Sequence, residues 1–388
     1  MFPGVVLKPG KEKKVRNFHP WVYRDEIAKV ERHAESGGIV AVRDAGGAVV
    51  AKGWYSPKAR LAVRVLTRDE KEDLDVGFFE RRIAAAKRIR DPALPGEEGV
   101  RAIHAEADDL PGIVCDVYAG HAVLQLRYAG ADSFRAQVVE ALGRVWNPKG
   151  IYERSDMEGR KEEGLEPRAG LLSGEVPEEI AFREGPARFF ALARHGHKTG
   201  FYLDQRSNRD LVASLVKPGM RVLDAFSSTG AFSVRCALAG ARVVAIEKDP
   251  AAAALVTRHA ETNGVSVDVR VADAFEELPR LEERFDLAIV DPPAIAKKKE
   301  EQGTARWGFV TLSAAALRLL EPGGRLFVSS CAYHMSPSLL EEAVRIAGGE
   351  TGRKLRVLSE TFQPPDHPWI LQVPETLYLK SVLVEAMV

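Results

Sequence analysis

Apolar positions along the chain change their period as the sequence runs on. From Gly37 they come in short runs. The stretch "GGIVAVRDAGGAVVAKGWYSP" holds two of them separated by "DAGG", and "ARLAVRVLT" is a third. Short apolar runs broken by Asp and Gly predict strands joined by a hairpin turn. In "DVGFFERRIAAAKRIRD" the period lengthens. Phe78, Phe79, Ile83, Ala86 and Ile89 recur at helical spacing with Arg and Lys between them, which predicts an amphipathic helix. From about 100 to 190 the pattern is mixed. "GIVCDVY" and "HAVLQLRY" read as strands, "DSFRAQVVEALGRVW" as a helix, and the charged "YERSDMEGRKEEGLEP" as a loop. "ARFFALARHGHKTGFYLDQRSNRDLVASLV" then runs from strand through a Gly-containing turn into a helix.

The remaining chain alternates. The strands "RVLDAF", "RVVAIE", "VDVRVAD", "FDLAIVDPP" and "RLFVSSC" are each followed by a helical pattern. Strands alternating with helices predict an α/β fold whose mostly parallel, doubly wound sheet is covered on both faces. Ligands of such sheets sit outside the carboxyl ends of the strands. Three domains are expected: a small β-barrel at 1–70, a central α+β domain at 71–190 and the α/β domain at 191–388.

Composition narrows the class. A chain of 388 residues is too long for one typical core. No apolar run approaches the length of a membrane span, and the start "MFPGVVLKPGKEKK" has too short an apolar segment for a signal peptide. Cys115, Cys236 and Cys331 are three cysteines without a CxxC pair, which argues against a disulfide framework or a zinc site and for a reducing compartment. A cytoplasmic protein with no membrane partner is expected. Net charge is zero, yet residues 1–70 hold 14 Lys and Arg against 8 Asp and Glu. A basic module fits a polyanionic partner, although the same excess suits a solvated surface.

The strand–turn–helix "VLDAFSSTGAFS" carries small residues at 227–230, which let a ligand approach the backbone, and Gly230 permits an unusual φ. It lacks both GxGxxG and the Walker phosphate loop, so a cofactor without phosphates is expected. The next strand ends in Glu247, placed to accept from ribose hydroxyls. The third ends in "ADAF", where Asp273 suits an adenine amine and Phe275 its ring. Together these point to S-adenosyl-L-methionine.

The fourth strand ends in Asp291, Pro292 and Pro293, and two prolines there stiffen the chain. In amino-directed methyltransferases an aromatic follows this motif, but here Ala294 stands in its place. The fifth strand delivers "SSCAYHMS", with Cys331 just past its end. A thiolate adding to cytosine C6 makes C5 nucleophilic, and a carboxylic group near N3 stabilises the adduct. Cys331 is the candidate nucleophile and Asp291 its acid partner. Positive potential from Lys297, Lys298 and Lys299 or a helix N-terminus would favour the thiolate. Cys115 and Cys236 sit in apolar patterns and read as packing residues.

The segments "HGHKTGFYLDQRSNR", "LDAFSSTGAFS", "DPPAIAKKK" and "SSCAYHMS" resemble the bacterial large-subunit ribosomal RNA cytosine-C5 methyltransferases. "HAEADDLPGIVCDVY" and "GIYERSD" resemble that family's central domain, and "LKPGKEKKVRNFHPWVYRDEI" with "GWYSPKARLAVRVL" its N-terminal PUA domain. The resemblance covers essentially the whole chain. It implies a PUA RNA-binding barrel, a central domain of the EEHEAD type and a Rossmann-like class I methyltransferase domain. It further implies a homodimer acting on 23S ribosomal RNA, free or within a subunit particle. By position, Cys331 and Asp291 would be catalytic. Phe226, Ser227 and Gly230 would line the methionine side, while Tyr202 and Gln205 close the pocket. Asp224, Glu247, Lys248, Asp273, Ala274, Asp291 and Pro292 complete the cofactor set. Ser329 stands where relatives often carry a second cysteine. His195 and His197 lack a third ligand nearby, so no metal is expected. Lys198 is a candidate for contact with RNA phosphate or the cofactor carboxylate, and Lys297–Lys299 for phosphate contact or a solvated loop, while Phe18, Trp21, Trp54 and Tyr55 are candidates for the barrel core, with stacking on RNA as the alternative. An N-methyltransferase acting on RNA guanine or adenine through Asp291-Pro292-Pro293 stays open. So do a non-catalytic RNA-binding assembly factor with a vestigial cofactor pocket, and a metabolic methyltransferase.

Overall fold

A computed structural model describes residues 2–196, 198–295 and 302–387. His197 and Lys297–Lys299 lie outside the described residues. The chain divides into two compact units. One runs up to Phe182 and includes Phe190–Leu203 and Pro365–Thr376, and the other comprises Arg183–Phe189, Asp204–Pro364 and the chain from Leu377.

In the first unit, β1 (Gly4–Leu7), β2 (Trp21–Tyr23), β3 (Ile27–Val30), β4 (Ile39–Arg43), β5 (Val49–Tyr55) and β6 (Leu61–Thr67) form one sheet in the order β2-β6-β5-β4-β1-β3. A short helix, α1 (Glu12–Arg16), lies between β1 and β2. The "DAGG" turn joins β4 and β5 as an antiparallel pair, with Asp44 Oδ1 accepting from the Gly46 and Ala48 amides at 3.1 and 3.0 Å. Trp54 and Tyr55 are buried, but Phe18 is 63% exposed, with the Arg68 guanidinium over its ring. The expectation of a core position fails there because Phe18 sits at positive φ just past α1, outside the strand alternation.

The amphipathic pattern forms α2 (Val76–Ala93), capped by Asp75, which accepts from the Phe78 amide at 2.9 Å. Phe78, Phe79, Ile83 and Ala86 are buried as expected, whereas Ile89 is half exposed. Arg90 takes the inward place instead. Its guanidinium bonds both carboxylate oxygens of Asp108 and the Arg101 carbonyl, which satisfies a charge that would otherwise be costly to bury. A second sheet follows in the order β11-β10-β9-β8-β7, from β7 (Gly99–His104), β8 (Ile113–Tyr118), β9 (His121–Leu126), β10 (Gly150–Ser155) and β11 (Arg168–Gly174). Between β9 and β10 lie α3 (Ala129–Ser133) and α4 (Arg135–Trp146). The segment expected as a charged loop begins inside β10 and buries Arg160 and Glu163 further on. β12 (Glu179–Glu184) and β13 (Ala187–Leu192) pair as a two-stranded sheet.

The second unit holds α5 (Arg206–Ser214), β14 (Arg221–Ala225), α6 (Ala231–Leu238), β15 (Arg242–Glu247), α7 (Pro250–Thr262), β16 (Val267–Val271) and α8 (Ala274–Glu277). It continues through β17 (Phe285–Val290), α9 (Gln302–Arg318), β18 (Leu320–Ser330), α10 (Pro337–Glu350), β19 (Leu355–Phe362) and β20 (Lys380–Ala386). The sheet order is β16-β15-β14-β17-β18-β20-β19. Neighbouring residues on each strand face opposite cores. Val222, Val243, Leu287 and Phe327 pack with Val212 and Phe232, while Leu223, Val244, Ala288 and Val328 pack with Phe309, Leu340 and Val344. Each fully buried aliphatic side chain contributes roughly 1.5–3 kcal/mol, so both faces stabilise the sheet. β14 to β18 run parallel and end on one edge. β20 runs against β18, pairing Lys380 with Ser330.

Candidate active site

The turn after β14 is unusual in its backbone. Phe226, Ser228 and Gly230 all have positive φ, at 63°, 50° and 78°. A Cβ on Gly230 would meet Val256 Cγ1 at 2.6 Å, so close packing of the turn on α7 also requires glycine there. Glu247, at the end of β15, holds the turn in place. Its carboxylate accepts from the Ser228 amide at 2.7 Å and the Asp249 amide at 2.9 Å. Left-handed non-glycine residues cost about 1–3 kcal/mol each and cluster where a ligand is bound. Ser227 Oγ is buried with no hydrogen-bond partner among the described residues.

Asp224 lies beneath the turn, 1% exposed, with Oδ2 accepting from Ser233 Oγ at 2.6 Å. Its pKa is pushed up to about 7, chiefly by burial, with Asp291 and Glu247 adding to the rise and the Ser233 bonds opposing it. Three carboxylates thus stand close enough at the carboxyl ends of β14, β15 and β17 for Asp291 and Glu247 to act on Asp224. Lys248 pairs with Asp273 at 2.7 Å rather than with them. A cationic ligand suits such a site, and an unpartnered buried hydroxyl and a close-approach glycine suit its polar end. The chemistry of these residues fits S-adenosyl-L-methionine, and Phe226, Ser227, Gly230 and Glu247, with Asp224 beneath them, are the residues that could hold it.

Asp273 ends the next strand connection and caps α8. It accepts from the Phe275 amide at 3.0 Å through Oδ1, while Oδ2 takes Lys248. The Lys248 bond holds its carboxyl below the usual range. Phe275 is 40% exposed and stands edge-on to Phe226, with ring centroids 5.8 Å apart, and Ala274 is buried beside it. Tyr202 belongs to the other unit, where Lys198 Nζ lies 4.4 Å from its ring centroid. His195 pairs with Glu178 at 3.2 Å.

The Asp291 and Cys331 ends are joined through Gln205. Its Nε2 donates to Asp291 Oδ2 at 2.9 Å and to Ser329 Oγ at 2.8 Å. Asn208 Nδ2 donates to Gln205 Oε1 at 2.5 Å and to Ser381 Oγ at 3.2 Å. Pro292 is buried and Ala294 exposed, so no ring stands directly after the motif. Cys331 is half-buried just past β18, whereas Cys115 and Cys236 are fully buried, and desolvation pushes both thiols up.

Sequence reasoning missed Lys380. It is 3% exposed, and its Nζ donates to the carbonyl of Ala332, next to Cys331, and to that of Tyr378 at 2.8 Å. Burial lowers its pKa to about 8, and the Cys331 thiol opposes that fall. The only signal for it was a lysine opening the apolar run "KSVLVEA".

Family models match a PUA-like domain at residues 5–68 and a methyltransferase domain at 216–357. The ribosomal RNA large subunit methyltransferase I of Photobacterium profundum is 38% identical over 392 residues, covering 98% of each chain. The enzyme of that name from Aeromonas salmonicida is 36% identical, covering 98% of this chain and 99% of its own. This chain belongs to the ribosomal RNA large subunit methyltransferase I family. The family fold is also seen in a solved SAM-dependent methyltransferase from Streptococcus mutans, at 21% identity and a TM-score of 0.83, covering 99% of this chain and all of that one. A second solved methyltransferase, in complex with SAH, superposes with a TM-score of 0.85 at 21% identity, again covering 99% of this chain and 100% of its own.

Proposed function

We propose that the protein methylates C5 of a cytosine in large-subunit ribosomal RNA, with Cys331 as nucleophile. The observation that carries this reading is the Gln205 bridge, which ties the Asp291 carboxylate to Ser329, two residues before the half-buried thiol. S-adenosyl-L-methionine, when bound, supplies an electrophilic methyl group to C5. The chain's own residues prepare that carbon. Cys331 Sγ adds to C6, and the electrons of the C5–C6 double bond become available at C5. Asp291 hydrogen-bonds N3 and stabilises the charge that the addition creates. Loss of the C5 proton to a base then expels the sulfur and restores the ring. The target nucleotide must leave its stack for C6 to be attacked from above the ring plane. The PUA-like domain and the basic excess of residues 1–70 support an RNA substrate.

The test is mass spectrometry of ribosomal RNA fragments from cells lacking the protein, complemented with wild type, Cys331→Ala or Asp291→Asn. One 5-methylcytosine should be restored by wild type and not by Cys331→Ala. Full methylation by Cys331→Ala would overturn the covalent route and favour amino methylation through Asp291-Pro292-Pro293.

A further inference from the structure

A buried ammonium ordinarily pairs with a carboxylate, because an isolated charge away from water is costly. Lys380 is 3% exposed, and among the described residues no carboxylate pairs with it. Its two hydrogen bonds go to carbonyls, those of Ala332 and Tyr378. An ammonium has three N–H donors, so one is left over.

The groups around Lys380 are few. On β18, Ser329 and Ser330 are uncharged, and Ser330 is the direct cross-strand partner. Past the end of β18 come the Cys331 thiol, then Tyr333 and His334. On β19 the facing residue is Phe362. Before β20, the Tyr378 hydroxyl donates to Asp204 Oδ2 at 2.9 Å, and Asp291 is bound by Gln205. Among the described residues, the Lys380 Nζ bond to the Ala332 carbonyl sets the ammonium beside Cys331, whose charge favours the protonated lysine.

We propose that Lys380 is a positioning residue that holds Cys331 as a thiolate by giving its third N–H to the sulfur. The thiol proton goes to solvent, Lys380 keeps its own, and the pair is neutral overall. This deepens the nucleophile reading and rests on it for its biological use, but not for its measurement. A free thiol titrates near 8.5, and a neighbouring cation lowers that value. A lysine that titrates at about 8 still carries most of its charge at neutral pH, so Lys380 has the cation that the pair needs.

The experiment is the pH dependence of iodoacetamide alkylation at Cys331 in the full chain, followed by peptide mass spectrometry. Buried Cys115 and Cys236 serve as silent internal controls. In wild type the midpoint should lie at least about one unit below 8.5. Lys380→Met should raise it by more than one unit, and Lys380→Arg should keep it near the wild-type value. A wild-type midpoint at or above 8.5 overturns the proposal without any variant. So does an unchanged midpoint in Lys380→Met that still binds S-adenosylhomocysteine. The two readings fail separately. Methylation by Cys331→Ala with a Lys380-dependent midpoint removes the nucleophile and leaves the pair. Loss of methylation by Cys331→Ala with a Lys380-independent midpoint does the reverse.

Discussion

Gln205 Nε2 lies 2.9 Å from Asp291 Oδ2, and the same amide group also serves Ser329 and Asn208. One side chain thereby fixes the carboxylate at the end of β17 relative to the end of β18. Gln205→Leu removes both donors while keeping the bulk. Its turnover should fall up to about a hundredfold, the cost of a misplaced catalytic group. Affinity for S-adenosylhomocysteine should change far less. Single-turnover methylation alongside calorimetric binding checks this, and a Gln205→Leu enzyme with wild-type turnover would disprove it.

Asp224 should couple cofactor binding to proton release. Its carboxyl titrates at about 7 in the folded protein against 3.8 as a free group. The folded chain therefore holds more protons than the unfolded one between those values. Stability without ligand should fall as pH rises from about 4 to about 7. A cationic ligand favours the ionised form, so S-adenosylmethionine should expel part of a proton near neutrality, and uncharged S-adenosylhomocysteine less. Calorimetry in buffers of different ionisation heat measures the release. Persistence of the full effect in Asp224→Asn would assign it elsewhere.

Gly230→Ala should damage the cofactor turn. Alanine at φ 78° costs about 1–2 kcal/mol, and its Cβ would also press on Val256. The variant should melt lower and bind S-adenosylhomocysteine at least tenfold more weakly. Wild-type affinity would show that the turn tolerates a side chain.

Glu184 is fully buried and bonded to Arg209 through both oxygens, with Arg206 and Arg235 nearby. Burial raises its pKa, but the arginines outweigh burial and hold it below the usual value. Its stabilisation is present above about pH 4.5 and is lost as pH falls through the lowered folded value. Glu184→Gln removes the carboxylate that Arg209 and Arg206 bond, while Arg235 keeps its pairing with Asp210. It should cost about 3–5 kcal/mol in denaturant unfolding, the usual result of halving a buried pair. A loss below 1 kcal/mol would show that water or another carboxylate takes over.

The parallel strands and the residues at their ends were legible in the sequence because both are local. "RVLDAF", "RVVAIE" and "FDLAIV" announce their strands by composition, and Asp224, Glu247 and Asp291 follow from strand length. Ile89 and Arg90 exchanged places because helical spacing alone does not foresee Asp108 as a buried partner. Lys380 was invisible for a related reason. Its neighbour Cys331 lies across an antiparallel pairing that no run of residues encodes. The Gln205 bridge likewise depends on three distant segments meeting.

The reversal of β20 carries one more consequence. β19 leaves the sheet at Phe362 and β20 re-enters it at Lys380, and these two residues pair. The connection finishes at Lys380, whose Nζ bonds the Ala332 carbonyl next to the thiol. Both its anchors are fixed by the strand pairing, and the connection is tied down within as well: Asp366 and His367 are fully buried, and the Asp366 carboxylate accepts from the Arg101 amide at 3.0 Å, so a change at Asp366 would loosen the return path while both strand ends stay paired.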